Sequence, residues 1–191
     1  MIRRATSDDL DAIMAIENAS FPTDAWSTET MTAELAGEYS HYLVDEQDGL
    51  VVGYAGLRSV RGASDADIQT IALLETHRGA GRGRALLAAL LAEAASRGNR
   101  EVFLEVRADN PGAEGLYLSE GFTELGRRPR YYQPDGVDAI VMRLDLGAQH
   151  ARQPNGRTSR EPEDPNGPIA PSDRAASSGS GDTQAAKEST A

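Results

Sequence analysis

The spacing of apolar positions changes several times along the chain, and each change marks an element. Ile2 to Thr6 reads as a short extended segment. Ser7 is then placed to cap a helix whose Leu10, Ile13 and Met14 fall on one face. "FPTDAWS" interrupts that stripe, and Ser27 is placed to cap a second short helix carrying Met31 and Leu35. Ser40 to Glu46 and Leu50 to Val60 have strand character and flank Gln47-Asp48-Gly49, a hairpin signal. Ala66 to Leu73 forms a fourth strand, and Arg82 to Arg97 a longer helix that stops where Gly98 can adopt a left-handed cap. In the fifth strand, Glu101 to Ala108, alternation puts Val102, Leu104 and Val106 on one face and Glu101, Phe103, Glu105 and Arg107 on the other. Asn110 then stands as N-cap, Pro111 at the first helical position and Gly121 at the far end. Two last strands, Phe122 to Tyr132 and Val137 to Leu146, are joined through "QPDG". Seven strands and four helices in this order, with no repeat of fixed period, predict a mixed α/β (α+β) domain using both kinds of strand pairing.

The pattern stops at residue 146. From 147 to 191 Ile169 is the only large apolar side chain, so this segment buries too little to offset its ordering entropy and is expected to be a disordered, low-complexity tail. Of the formal net charge of −11, five Lys/Arg and six Asp/Glu put about −1 in the tail, which leaves about −10 on residues 1 to 146. A domain that acidic has no diffuse attraction for nucleic acid or anionic lipid. The absence of cysteine removes disulfides, thiolate metal sites and a cysteine nucleophile. His41, His77 and His150 stand too far apart in sequence to suggest a metal cluster, and no metal is expected. Without a signal-peptide core near Met1, and with Ala85 to Ala95 too short to span a bilayer, a cytoplasmic protein is expected.

Against that acidic background, "RGAGRGR" at 78 to 84 places three arginines between three glycines, directly before the long helix. Such a turn exposes successive main-chain N–H groups, and the helix N-terminus adds unpaired donors and a positive dipole end, so phosphate is the natural ligand. A P-loop requires Gly-Lys-Ser/Thr, whereas Gly83 is followed by Arg84 and Ala85. A dinucleotide fingerprint beginning at Gly79 fails at Arg84. Arg78-x-x-Gly81-x-Gly83 does resemble the pyrophosphate-cradling motif of the acetyl-CoA-dependent N-acetyltransferase (GNAT) superfamily. "IQTIAL" before the loop, then "LEVRADN", "LYLSEGF", "RYYQPDGVDAIVMRLDL" and an early "FP…WS", are similar to its RimI branch, bacterial N-terminal acetyltransferases known for modifying the alanine of a ribosomal protein. The likeness covers residues 1 to 146. It departs at Thr23-Asp24-Ala25, inserted between Pro22 and Trp26, and at Gln133, inserted between the Tyr131-Tyr132 pair and Pro134.

The resemblance implies a mostly antiparallel sheet of about seven strands with four helices, whose fourth and fifth strands splay to admit acetyl-CoA as co-substrate. It implies that Gly79, Ala80, Gly81 and Gly83, with Arg78, Arg82 and Arg84, hold the pyrophosphate, that main-chain groups of Ile71, Ala72 and Leu73 face the thioester, and that Asn110 also contacts the coenzyme. Glu105 becomes the general base and Tyr117 the acid that protonates the departing thiolate. From the residues alone, Glu105 reads equally as a carboxylate on a solvated strand face and Tyr117 as core packing. Asn110 can be a cap and nothing more, and the arginines plain surface charges. Trp26, Tyr131 and Tyr132 are candidates to line the acceptor cleft, Trp26 being as readily a buried anchor for its loop.

Energetics bear on the acceptor. At pH 7 an α-amine costs about 1 kcal/mol to deprotonate and a lysine amine about 4.6 kcal/mol, so one glutamate manages the first far more easily. A protein or peptide N-terminus is therefore the expected partner; the resemblance to the RimI branch implies that of a ribosomal protein, and a monomer or weak dimer is expected. A lysine or small-amine acceptor on the same fold, and a coenzyme-binding module without chemistry of its own, are the competing readings.

Overall fold

The computed structural model describes residues 1–147. The expected tail, 147–191, lies outside the described residues except for Gly147. Every element anticipated from the pattern is present in order: β1 (Ile2–Arg4), α1 (Leu10–Ser20), α2 (Thr28–Ala36), β2 (Ser40–Gln47), β3 (Leu50–Arg58), β4 (Asp65–Leu73), α3 (Arg82–Ser96), β5 (Glu101–Arg107), α4 (Pro111–Ser119), β6 (Thr123–Tyr132) and β7 (Val137–Asp145). Three of the four anticipated caps are in place. The Ser27 hydroxyl accepts from the Thr30 amide at 3.1 Å, the Asn110 carboxamide oxygen accepts from Ala113 at 3.1 Å, and Gly98 closes α3 at φ +85°.

Ser7 does not cap α1. It lies inside a single 3₁₀ turn, Ser7–Asp9, that begins one residue earlier at Thr6. The Asp9 carboxylate reaches back to the Thr6 amide at 2.8 Å and is gripped by Arg3 through two hydrogen bonds of 2.8 and 2.7 Å. The charged pair outcompetes a neutral hydroxyl for the start of this helix.

The seven strands form one sheet in the order β1-β2-β3-β4-β5-β7-β6. All neighbours are antiparallel except β4 and β5, which run parallel because α3 carries the chain across between them. Apolar side chains cover both faces. On one, Leu86, Leu87, Leu90 and Leu91 of α3 and Tyr117 of α4 pack on Leu57, Ile68, Val102, Leu104, Val106, Ile140 and Met142. On the other, Ile13 and Ile16 of α1 and Met31 of α2 pack on Tyr42, Val44, Tyr54 and Ala72.

The parallel seam is short. It pairs Asp65–Ile68 with Glu101–Leu104 and then ends, so Gln69–Leu73 of β4 and Glu105–Arg107 of β5 lie beyond the last shared rung. An opening in the middle of the sheet follows, of the splayed kind expected. No helix among the described residues is long and apolar enough to cross a membrane.

Candidate active site

One end of the opening is bounded by the glycine turn. Gly79 and Gly81 have φ of +77° and +80°, values that a side chain at either place would strain. Gly81 is the residue from which α3 starts, its carbonyl accepting from Ala85 at 3.0 Å. Gly83 is different: it is helical, and a Cβ there would make ordinary contacts with Leu73 and Leu116 at 3.5 and 3.6 Å. Neither backbone nor packing requires glycine at 83, which leaves the main chain there open to close approach by a group from outside the chain. Among the described residues no acceptor takes the main-chain N–H of residues 79 to 84. These amides, the free first turn of α3 and its dipole make a cradle suited to a diphosphate.

The flanking arginines also have partners within the protein. Arg82 donates to the buried Asp45 carboxylate at 2.6 Å and to Gln47, tying the start of α3 to β2. Arg84 pairs with Glu120 and donates to the Ser119 hydroxyl at 3.1 Å, tying it to α4. Arg78 donates through Nε to the Leu73 carbonyl at 3.1 Å, across the mouth of the opening.

The edges of the opening follow from strand register. The Leu74 amide donates to Val52 of β3 at 2.9 Å, and Ala72 lies opposite Tyr54. Alternation along β4 then turns the main-chain groups of Ala72 toward β3 and those of Ile71 and Leu73 away from it, toward the gap. On the other edge Glu105 is the first residue of β5 past the last rung. Val102, Leu104 and Val106 are buried under α3 and α4, while Glu105 and Arg107 emerge on the opposite face, as the alternation predicted.

The Glu105 carboxylate is partly exposed and meets Arg128 of β6 at 3.0 Å. Arg128 also lies over the Tyr131 ring at 5.5 Å. Tyr131 in turn is pushed up to about 12 by partial burial and by its hydrogen bond to Glu105. Tyr132 packs edge-on against Tyr131 at 5.2 Å, and burial raises its phenol as well. Both tyrosines therefore stand with Glu105. Trp26 is half-buried against the α1 and α2 core, and its amide donates to Glu17 at 2.9 Å, so the anchoring role is present.

Tyr117 lies on α4, on the face of the sheet opposite Glu105. It is 8% exposed, stacks edge-on with Phe122 at 5.8 Å, and burial pushes its phenol up to about 12. A phenol so raised keeps its proton at neutral pH. Its hydroxyl has no hydrogen-bond partner among the described residues, yet it is not among the sealed polar atoms, so it opens to solvent. Asn110 is confirmed as a cap by its bond to Ala113.

Residues 10–122 match the Acetyltransferase (GNAT) family. The chain belongs to that family. Among relatives of this GNAT domain, an uncharacterised protein of Mycobacterium leprae is 38% identical over 148 residues, which is 76% of this chain and 40% of that protein's length. The N-alpha-acetyltransferase RimI of Mycobacterium tuberculosis is 40% identical over 126 residues, 65% of this chain and 78% of that one. A crystal structure of the ribosomal-protein-S18-alanine N-acetyltransferase from Escherichia coli superposes with a TM-score of 0.68 at 34% identity, covering 76% of this chain and 93% of the other.

Within the GNAT frame three residues around the site were not anticipated from the sequence. Arg128 sits in a basic run, "GRRPR", with nothing to mark which arginine turns toward β5. Arg107 looked like one more charge on a solvated face. Glu17 did carry a signal: it continues the Leu10 and Ile13 stripe by four residues and is 2% exposed. A carboxylate on the apolar stripe of a helix is the informative exception.

Proposed function

We propose that this domain transfers the acetyl group of acetyl-CoA to the α-amine of a protein N-terminus, with an N-terminal alanine such as that of a ribosomal protein as the acceptor. The observation carrying this reading is that Glu105 is the first β5 residue beyond the shared rungs, on an edge facing the Ile71 and Leu73 amides. A carboxylate and two inward N–H groups then stand on opposite sides of one gap, with a diphosphate cradle at its end.

Acetyl-CoA, when bound, supplies a thioester whose pyrophosphate fits the amides of Gly79 to Gly83. Ile71 and Leu73 amides donate to the carbonyl oxygen as it gains negative charge. Glu105 takes the proton of the incoming ammonium, directly or through a water. Tyr117 holds a proton at its hydroxyl and gives it to the departing sulfur. Asn110 fixes the start of α4 and with it the placement of Tyr117. Trp26, Tyr131 and Tyr132 surround the entry to Glu105 and line the acceptor cleft. The acceptor class sets the reaction in the cytoplasm.

The deciding measurement is mass spectrometry of a peptide library incubated with acetyl-CoA. Peptides beginning Ala-Arg are expected to gain one acetyl group on the α-amine. Modification of an N-terminally blocked peptide at an internal lysine would instead establish side-chain transfer, and coenzyme binding with no transfer to any peptide would make the domain a binding module.

A further inference from the structure

The two places where this chain departs from the RimI-like pattern, Thr23-Asp24-Ala25 and Gln133, are remote in sequence, but the loops that carry them touch in space. The Thr23 hydroxyl donates to the Asp135 carboxylate at 3.0 Å, 112 residues away. Arg107 stands at their junction. One guanidinium nitrogen lies 3.8 Å from Asp24, and the other terminal nitrogen donates to Asp135 at 3.1 Å. Nε and that same nitrogen form a bidentate pair with Asp109, both bonds 3.0 Å. The plane of the group also covers the Tyr132 ring at 5.1 Å.

We propose that Arg107 is a positioning residue that clasps the α1–α2 loop to the β6–β7 turn and thereby fixes the width of the acceptor cleft beside Glu105. The inference rests on the N-terminal acetyltransferase reading and extends it to substrate affinity. Arg107 is two residues from Glu105 on the same face of β5, so the strand that carries the base also carries the clasp. Only a planar fork can serve carboxylates from separate segments while stacking on an aromatic face, a geometry unavailable to lysine. Isolated exposed ion pairs hold little, but this side chain is only 19% exposed and joins the α1–α2 loop, the β5–α4 loop and the β6–β7 turn at one point. Tyr132, a candidate cleft residue, is held by the same group.

The test compares full-length wild type, Arg107→Ala and Arg107→Lys. Arg107→Ala is expected to raise the peptide KM about tenfold or more, with kcat within about twofold and the KM for acetyl-CoA unchanged, the pattern of lost acceptor binding rather than lost chemistry. Arg107→Lys, which keeps the charge but loses the fork, is expected to recover part of that loss. Amide hydrogen exchange, which needs no turnover, should accelerate together at residues 23–26 and 133–136 in Arg107→Ala. The native absence of cysteine permits a further variant, Thr23→Cys with Asp135→Cys, bridged by a short bis-thiol reagent in the Arg107→Ala background. Bridging is expected to restore the peptide KM.

Unchanged exchange at both segments would overturn the clasp. Faster exchange with an unchanged peptide KM would overturn its role in the cleft, and failure of the bridge to restore KM would show that Arg107 acts by touching the acceptor itself. Wild-type protein that acetylates no α-amine would remove the proposed function and this role with it, while the exchange data would still report whether the loops are joined.

Discussion

The two faces of the sheet are built on different principles. Under α3 and α4 the contacts are almost wholly aliphatic, with Leu86, Leu87, Leu90, Val102, Ile140 and Met142 each under 2% exposed. Under α1 and α2 the core contains a carboxylate. Glu17 accepts from the Trp26 amide and from the Tyr54 hydroxyl, and the Tyr54 oxygen lies 3.3 Å from the Thr70 hydroxyl, next to Ile71 on the edge of the opening. Burial raises the Glu17 pKa, and the two donors offset only part of that cost. Tyr117 aside, that first face is a scaffold, where packing alone decides. The other joins the Trp26 loop to the reactive edge through polar groups, and Glu105 emerges on that side.

The largest expected effect tests the chemical end of this contrast. Glu105→Gln should depress turnover on the order of 10² to 10⁴-fold with little change in coenzyme affinity, measured by steady-state kinetics and calorimetry. Unchanged turnover would remove Glu105 from the mechanism. Next, Leu90→Ala should cost about 2 to 5 kcal/mol in chemical denaturation while leaving the peptide KM of the folded enzyme alone. A raised KM would mean that the scaffold face is not separate from the substrate side. Tyr54→Phe removes one donor from a buried carboxylate and should cost about 1 to 3 kcal/mol, this time with a weaker peptide KM because the Trp26 loop loses its footing. Loss of stability without any kinetic change would cut the link drawn between Glu17 and the cleft. The smallest effect concerns the start of α1. Arg3 holds Asp9 at about 2, below its ordinary 3.8, so the stabilisation is present above pH 4 and fades as pH falls toward 2. With Arg3 one-third exposed, about 1 to 2 kcal/mol of the difference between urea titrations at pH 7 and pH 3 is expected from this pair, and Asp9→Asn should shrink the difference by that amount.

The order of elements, the alternation of β5 and the left-handed glycines were legible because each is a local property. Period, turn chemistry and φ requirements are written in neighbouring residues. The seam between β4 and β5 was legible only through likeness to a family, since nothing within "ADIQTIAL" says where its pairing should stop. The ion pairs of the site were not legible at all. Arg107 meets Asp24 and Asp135 from the far ends of other loops, and Arg128 meets Glu105 across β7, contacts that depend on register rather than on composition. The misplaced cap at Ser7 has the same origin: its rival, Asp9, wins through Arg3, which strand β1 brings from outside the helix.

Four rungs join β4 and β5 along a short line, and beyond it the Ile71 and Leu73 amides stand on one edge and Glu105 on the other. On the proposed mechanism donor and base therefore stand on two strands that share no rung at their level, and the spread of those strands sets the distance between them. On that reading an acyl group longer than acetyl that spread the two strands further would draw donor and base away from the reacting carbon together, so propionyl-CoA is expected to turn over more slowly than acetyl-CoA in steady-state assays.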